Sequence, residues 1–185
     1  MSPAAAPEMD PVLIAFGAHA AETVGEADRA ELIDLFVACE EYVRSSEGRA
    51  PGSAQVEDLL CELPPGRTHA DKHVLGIRAS DRRLVGVLDV VRDYPGPGEW
   101  YLGLLLLLPG ERGSGLGERA YRAVEAWARR RGAVAMRLAV LEQNPRARRF
   151  WERLGFSVES SRTVRHGERE SVAIRMVRRL GLDAE

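Results

Sequence analysis

Lysine is almost missing from this chain. Of its 26 lysine and arginine residues, Lys72 is the only lysine. Such a bias follows from GC-rich bacterial coding more simply than from function. Cysteine is scarce too. Cys39 and Cys61 have no C-x-x-C spacing, so they cannot form a metal site alone or a disulfide framework. Both lie among apolar residues and read as core thiols. No long apolar run is present. Leu104–Leu108 is only five leucines, far short of a membrane span. The start, Met1-Ser-Pro-Ala-Ala-Ala-Pro7, lacks a basic segment followed by an apolar one, so no signal peptide is expected and a cytoplasmic location is. Net charge is −2, which leaves no whole-protein field toward nucleic acid or membrane. Arg129–Arg131 and Arg146–Arg149 spread around helix faces and read as solvated. His69, Asp71 and His73 alternate, but with no further strong ligand nearby they predict no metal site.

What is present suits an enzyme-sized globular chain. The 185 residues, 45% hydrophobic and 29% charged, can bury a sizeable core. Residues 1–10, rich in Ala and Pro, read as a disordered tail, and 11–185 as a single domain. Val12–Phe16 is a short strand. Leu32, Leu35, Phe36, Cys39 and Val43 share one face of a helix ended by Ser45–Gly48. A second helix follows Pro51-Gly52, with Ser53 as N-cap and Val56, Leu59, Leu60 and Leu63 as its apolar face. His73–Ala79 and Leu84–Arg92 form a hairpin around Ser80–Arg83, and Trp100–Leu108 is a buried strand. A helix from Leu116 to about Arg131, a strand Ala133–Leu141, a helix Pro145–Leu154 and strands near Phe156–Val164 and Ser171–Val177 complete the order. Mixed strands and helices around one sheet define an α/β or α+β class.

The informative segment is Pro109-Gly-Glu-Arg112-Gly-Ser-Gly115-Leu-Gly117, a Gly-rich turn between a buried strand and a helix. Glycines let backbone approach a ligand, and the first N–H groups of a helix have no internal partner. Together they suit a pyrophosphate. A P-loop needs Lys and Ser/Thr where Leu116 and Gly117 stand. A dinucleotide fingerprint needs Gly at Glu118. Both fail, and R-x-x-G-x-G remains.

With Pro109 before it, this pattern resembles the GNAT superfamily of acetyl-CoA-dependent N-acetyltransferases, whose members share Pro-x-x-(Arg/Gln)-x-x-Gly-x-(Gly/Ala) between a central strand and a helix. Asn144-Pro-Arg-Ala147-Arg-Arg-Phe150-Trp151-Glu-Arg-Leu154-Gly155-Phe156 resembles a second element of that family. The motifs cover about residues 84–160. The resemblance implies a mixed, mostly antiparallel sheet of about seven strands, splayed at the centre and flanked by about four helices. It implies acetyl-CoA as donor, no metal, and a primary amine of a small molecule or peptide as acceptor. Neither nucleic acid nor membrane is an expected partner, and a homodimer is left open.

The resemblance also assigns roles. Backbone N–H groups of Arg112, Gly113, Ser114, Gly115, Leu116 and Gly117 would bind the pyrophosphate, and Leu105 and Leu107 would offer strand backbone to the pantetheine. The Arg112 side chain would order the loop or touch phosphate. Asn144 would sit near the pantetheine as well as cap its helix, and Phe150 and Trp151 would pack beside it. Many members carry a tyrosine acid where this chain has Trp151, and an indole N–H cannot serve as that acid. Attack requires a neutral amine, hence a general base. Glu99 is the first candidate and Asp89 the second. Tyr42, Tyr101 and the hairpin around His166–Glu168 would border the acceptor. The alternatives are another acyl-CoA donor or acceptor, or a non-catalytic acetyl-CoA-binding module.

Overall fold

The computed structural model describes residues 11–166 and 169–181; the tail 1–10 and the tip Gly167-Glu168, where the sequence reading puts a disordered segment and part of the acceptor site, lie outside the described residues. The chain opens with β1 (Leu13–Phe16) and β2 (His19–Thr23), then α1 (Arg29–Ala38), α2 (Glu40–Glu47) and α3 (Ser53–Cys61). Next come β3 (Lys72–Arg78), β4 (Leu84–Val91), β5 (Glu99–Leu107), α4 (Leu116–Arg129), β6 (Ala135–Leu141), α5 (Pro145–Arg153), β7 (Ser157–His166) and β8 (Arg169–Arg179). The eight strands form one sheet in the order β1-β2-β3-β4-β5-β6-β8-β7. All pairs are antiparallel except β5 with β6.

Three sequence expectations are revised. β2 was not expected; its Ala21 is buried between Ile14 and Ile77 of its neighbours, and His19-Ala20-Ala21 is too short and weakly apolar to stand out. The single helix expected through Val43 breaks at Cys39, whose φ of −101° and ψ of 28° leave the helical range, yet both pieces keep their apolar side on the sheet. The N-cap of α3 is Gly52 rather than Ser53, and its N–H donates to Gln55 Oε1 at 2.7 Å.

The sheet has two covered faces. One carries Val74, Val87 and Leu106 against Leu32, Phe36, Val43, Val56 and Leu59 of α1–α3. The other carries Leu75, Ile77, Leu88, Trp100 and Met136 against Leu116, Tyr121, Val124 and Trp127 of α4 and Trp151 of α5. In β5 the inward set switches parity. Trp100 and Leu102 face α4, and so do Leu105 and Leu107, because the ladder with β4 slips between Asp89 and Val90 and leaves Gly103 as an extra residue. That bulge accounts for the unbroken run of leucines, since a period-2 pattern restarts after it.

Charge fixes how α1 meets the sheet. Arg78, 7% exposed, donates to Glu22 (2.8 Å), Asp28 (2.8 Å), Glu31 (2.8 and 3.0 Å) and the Arg82 carbonyl (3.0 Å). One guanidinium thus joins β2, β3 and the start of α1. Removing it leaves three carboxylates together, and losing one member of such a buried set costs about 3–5 kcal/mol. Because the acids are partly exposed, we expect Arg78→Met to cost about 2–4 kcal/mol in chemical denaturation. A change under about 0.5 kcal/mol would show the network to be incidental.

His73 stacks on Trp100 (centroids 6.1 Å) and meets Trp127 edge-on (5.0 Å). Burial first, then nearby Arg92 and Arg131, pull its pKa down to about 4. The unfolded chain therefore binds a proton below about pH 6.5 that the folded chain refuses until about pH 4. Stability should be full above pH 6.5 and decline toward pH 4, by about 1–2 kcal/mol from this residue after allowing for its partial exposure. Thermal melting of His73→Phe across that window should lack this part of the slope; an unaltered slope would assign it to other groups.

Candidate active site

Parallel pairing of β5 and β6 runs only from Glu99–Ala135 to Leu102–Leu138. Beyond it β5 stays bonded to β4 as far as Leu107, while β6 stays bonded to β8 as far as Leu141. The two halves of the sheet therefore part, leaving the inner edge of β5 from Gly103 onward without a strand partner. A cavity of about 620 Å³ opens there on the α1–α3 face.

At the mouth of the parting stands the Gly-rich loop. Gly113 (φ 82°) and Gly115 (φ 79°) adopt the left-handed region, which carries the chain from β5 into α4 and which other residues enter only with strain. Among the described residues, the N–H groups of Gly113, Gly115 and Gly117 have no hydrogen-bond acceptor, whereas Arg112 N–H is bound to the Pro109 carbonyl (3.3 Å) and Leu116 N–H to Ser114 Oγ (3.3 Å). A Cβ on Gly113 would meet nothing within 4 Å, so the loop borders open space. Free donors at the positive end of a fourteen-residue helix, beside a gap between strands, fit a pyrophosphate with a slender arm attached. The Arg112 side chain is turned back instead: Nε donates to the Leu107 carbonyl (3.0 Å) and Nη2 to Cys39 Sγ (3.3 Å). It orders the loop. Burial raises the Cys39 pKa, so that thiol stays protonated.

Leu105, Leu107 and Phe150 are half-buried near Gly117, whose Cβ would stand 3.5 Å from Leu107 and from Phe150. Asn144 caps α5, its Oδ1 accepting the Ala147 N–H at 3.0 Å. Trp151 is 7% exposed and packs on Phe150, Tyr121 and Phe156 with centroids 4.7, 5.4 and 5.4 Å apart. Its contacts are those of the core.

Register explains the cavity floor. Lys72 pairs with Val91, Val91 with Tyr101, Tyr101 with Arg137, Ala139 with Arg175, and Ala173 with Arg162. Paired residues share a face, so Lys72, Val91, Tyr101, Arg137, Arg175 and Arg162 form a band across six strands, and all of them line the cavity. Tyr42 of α2 lines it from above. Burial pushes the Tyr42 hydroxyl up to about 12 and raises that of Tyr101, so both are neutral donors at pH 7.

Asp89 lies in the same floor, at the bulge. Its Oδ2 accepts a hydrogen bond from Lys72 Nζ at 2.8 Å, and its buried Oδ1 has no partner. Burial raises its pKa, against the opposing pull of the Lys72 ammonium. A Cβ at position 103 would stand 2.8 Å from Oδ2, so Gly103 leaves the room this carboxylate occupies. Glu99, the first candidate from the sequence, is differently employed. Its Oε1 accepts from Arg137 Nε (3.0 Å) and Nη2 (2.8 Å), and it is not among the residues lining the cavity. Of the two candidates, only Asp89 lines the cavity. Sequence reasoning missed Lys72, Arg137, Arg162 and Arg175. Their only signals were the lone lysine and arginines facing small residues such as Ala139 and Ala173.

Residues 29–156 match the Acetyltransferase (GNAT) family. The chain belongs to that family of acetyltransferases. An uncharacterised N-acetyltransferase of Mycobacterium tuberculosis is 36% identical over 100 residues, 54% of this chain and 63% of the relative, so the match spans under two thirds of that protein. The fold is that of a probable GNAT-family acetyltransferase from Chromobacterium violaceum (TM-score 0.75, 15% identity, 96% and 97% of the two chains) and of an acetyltransferase from Thermus thermophilus (0.67, 23%, 89% and 99%). Among the described residues no helix is long and apolar enough to cross a membrane, and no group of three or more His, Cys, Asp and Glu is arranged to hold a metal ion.

Proposed function

We propose that the chain is an acetyl-CoA-dependent N-acetyltransferase acting on a primary amine in the cytoplasm. The observation that carries this reading is the meeting, at one parting of the sheet, of the unbonded loop donors on one side and a cavity holding Asp89 on the other. Bound acetyl-CoA supplies an activated thioester carbonyl. The chain's own part is to hold the pyrophosphate on Gly113–Gly117 and to seat the amine in the cavity. Asp89 takes a proton from the ammonium, directly or through one water, so that nitrogen can attack. Its raised pKa makes it a stronger base than an ordinary aspartate, and Lys72 fixes its orientation. Tyr42 and Tyr101 offer hydroxyls to the acceptor. No covalent enzyme intermediate is involved: as the amide forms, the thioester C–S bond breaks and the coenzyme leaves as a thiolate that takes a proton from water.

With acetyl-CoA and a panel of amines, Asp89→Asn should lower turnover, read as free thiol release, by about 10²–10⁴-fold while acetyl-CoA affinity holds. A loss below about threefold would remove Asp89 from the role. Gly117 tests the donor site separately. An alanine Cβ would sit at ordinary contact distance, so Gly117→Ala should fold and bind acetyl-CoA, in keeping with the Gly/Ala choice of the family pattern. Gly117→Val, with two further methyls, should weaken binding at least tenfold in calorimetry with little change in melting temperature. Unchanged affinity would refute this donor site.

A further inference from the structure

The cavity wall is charged, and most of that charge is already paired within the protein. Glu47 and Asp58 are paired with Arg49, Asp89 with Lys72, and Glu159 with Arg137, which also holds Glu99. Of the remaining lining groups, Glu62 is the one acid without an ion-pair partner among the described residues, and Arg162 and Arg175 are the two unpartnered bases. Both arginines face the cavity from the far half of the floor, on β7 and β8, beyond the parting from Asp89. The rows between them end in Ala139, Ala173 and Ser160, so nothing bulky fills the space beside them. Arg175 is half-buried and Arg162 exposed. A half-buried guanidinium without a partner is costly, and its planar fork matches an oxyanion.

We infer that Arg175 and Arg162 form an anion subsite for the acceptor, so that the substrate is an amine carrying a carboxylate or phosphate group, with its nitrogen toward Asp89 and its anionic end on the arginines. The inference rests on the transferase reading above for the word acceptor, but the subsite itself does not require transfer. A polyamine fits poorly, because it carries no anionic group to meet these two arginines. The volume of about 620 Å³ suits an amino acid or a short peptide rather than a folded protein surface.

The test compares matched amines. Free amino acids, their α-carboxamides, phosphoethanolamine and spermidine are assayed for thiol release from acetyl-CoA, and the same compounds are titrated calorimetrically into protein saturated with CoA. Anionic members should exceed their neutral counterparts at least tenfold in kcat/KM and in affinity. Preference within the anionic set separates carboxylate from phosphate. Arg175→Met should erase the preference, chiefly through KM, while leaving acetyl-CoA affinity and melting temperature unchanged, and Arg175→Lys should restore part of it. Equal use of acids and amides, preference for spermidine, or an Arg175→Met loss equal for both classes overturns the subsite. Binding that discriminates with no transfer to any amine keeps the subsite and overturns the transferase reading. Transfer without discrimination does the reverse. Absence of both overturns the subsite.

Discussion

Everything at this site depends on two strands that stop pairing. β5 and β6 are parallel partners for four residues and then go separate ways, each still held by its outer neighbour. A sheet cannot open in this way without leaving polar backbone exposed, and such groups are costly when they find no partner. The inner edge of β5 is therefore a destabilising feature that leaves a row of backbone groups free to bond something other than a strand. The bulge at Gly103 lies where the parting begins. It turns the strand, flips the apolar side chains that follow, and clears the space into which Asp89 projects.

From that opening, the two faces of the sheet present different chemistry. On the side of α4, the left-handed glycines and the first turn of the helix present unbonded N–H groups outward, while Arg112 turns inward to brace the loop on Leu107 and Cys39. On the side of α1–α3, the sheet floor presents side chains rather than backbone. Its charges run from Lys72 and Asp89 near the helices to Arg137, Arg175 and Arg162 past the parting. A thioester delivered through the gap would arrive between these two regions. The Arg78 network matters here because it seats α1, whose Phe36 lines the cavity.

Much of this was legible in the chain itself. The helix of α4 followed from Leu116, Ala120, Val124 and Trp127; the loop from its glycines; the cap of α5 from Asn144; and the strands from β-branched and leucine runs. The motifs around Arg112 and Asn144 identified the family because they constrain local backbone, and local backbone is written in consecutive residues. β2 was not legible, since it owes its strand state to pairing with β1 and β3 rather than to its own apolar content. The break at Cys39 was equally hidden, because the apolar spacing continues across it.

The chain by itself thus determined the fold class, the Gly-rich loop ahead of α4 and the unsuitability of Trp151 as an acid, all of which rest on residue chemistry and short-range spacing. Tertiary structure alone decided which carboxylate lines the cavity. The sequence ranks Glu99 ahead of Asp89, but Glu99 faces Arg137 across a parallel strand pair, while Asp89 meets Lys72 from seventeen residues away and keeps an oxygen free. It alone decided, too, that Arg162 and Arg175 face the same space as Tyr42. A side chain's partners depend on strand register and on the order of strands in the sheet, and neither is encoded by any single segment.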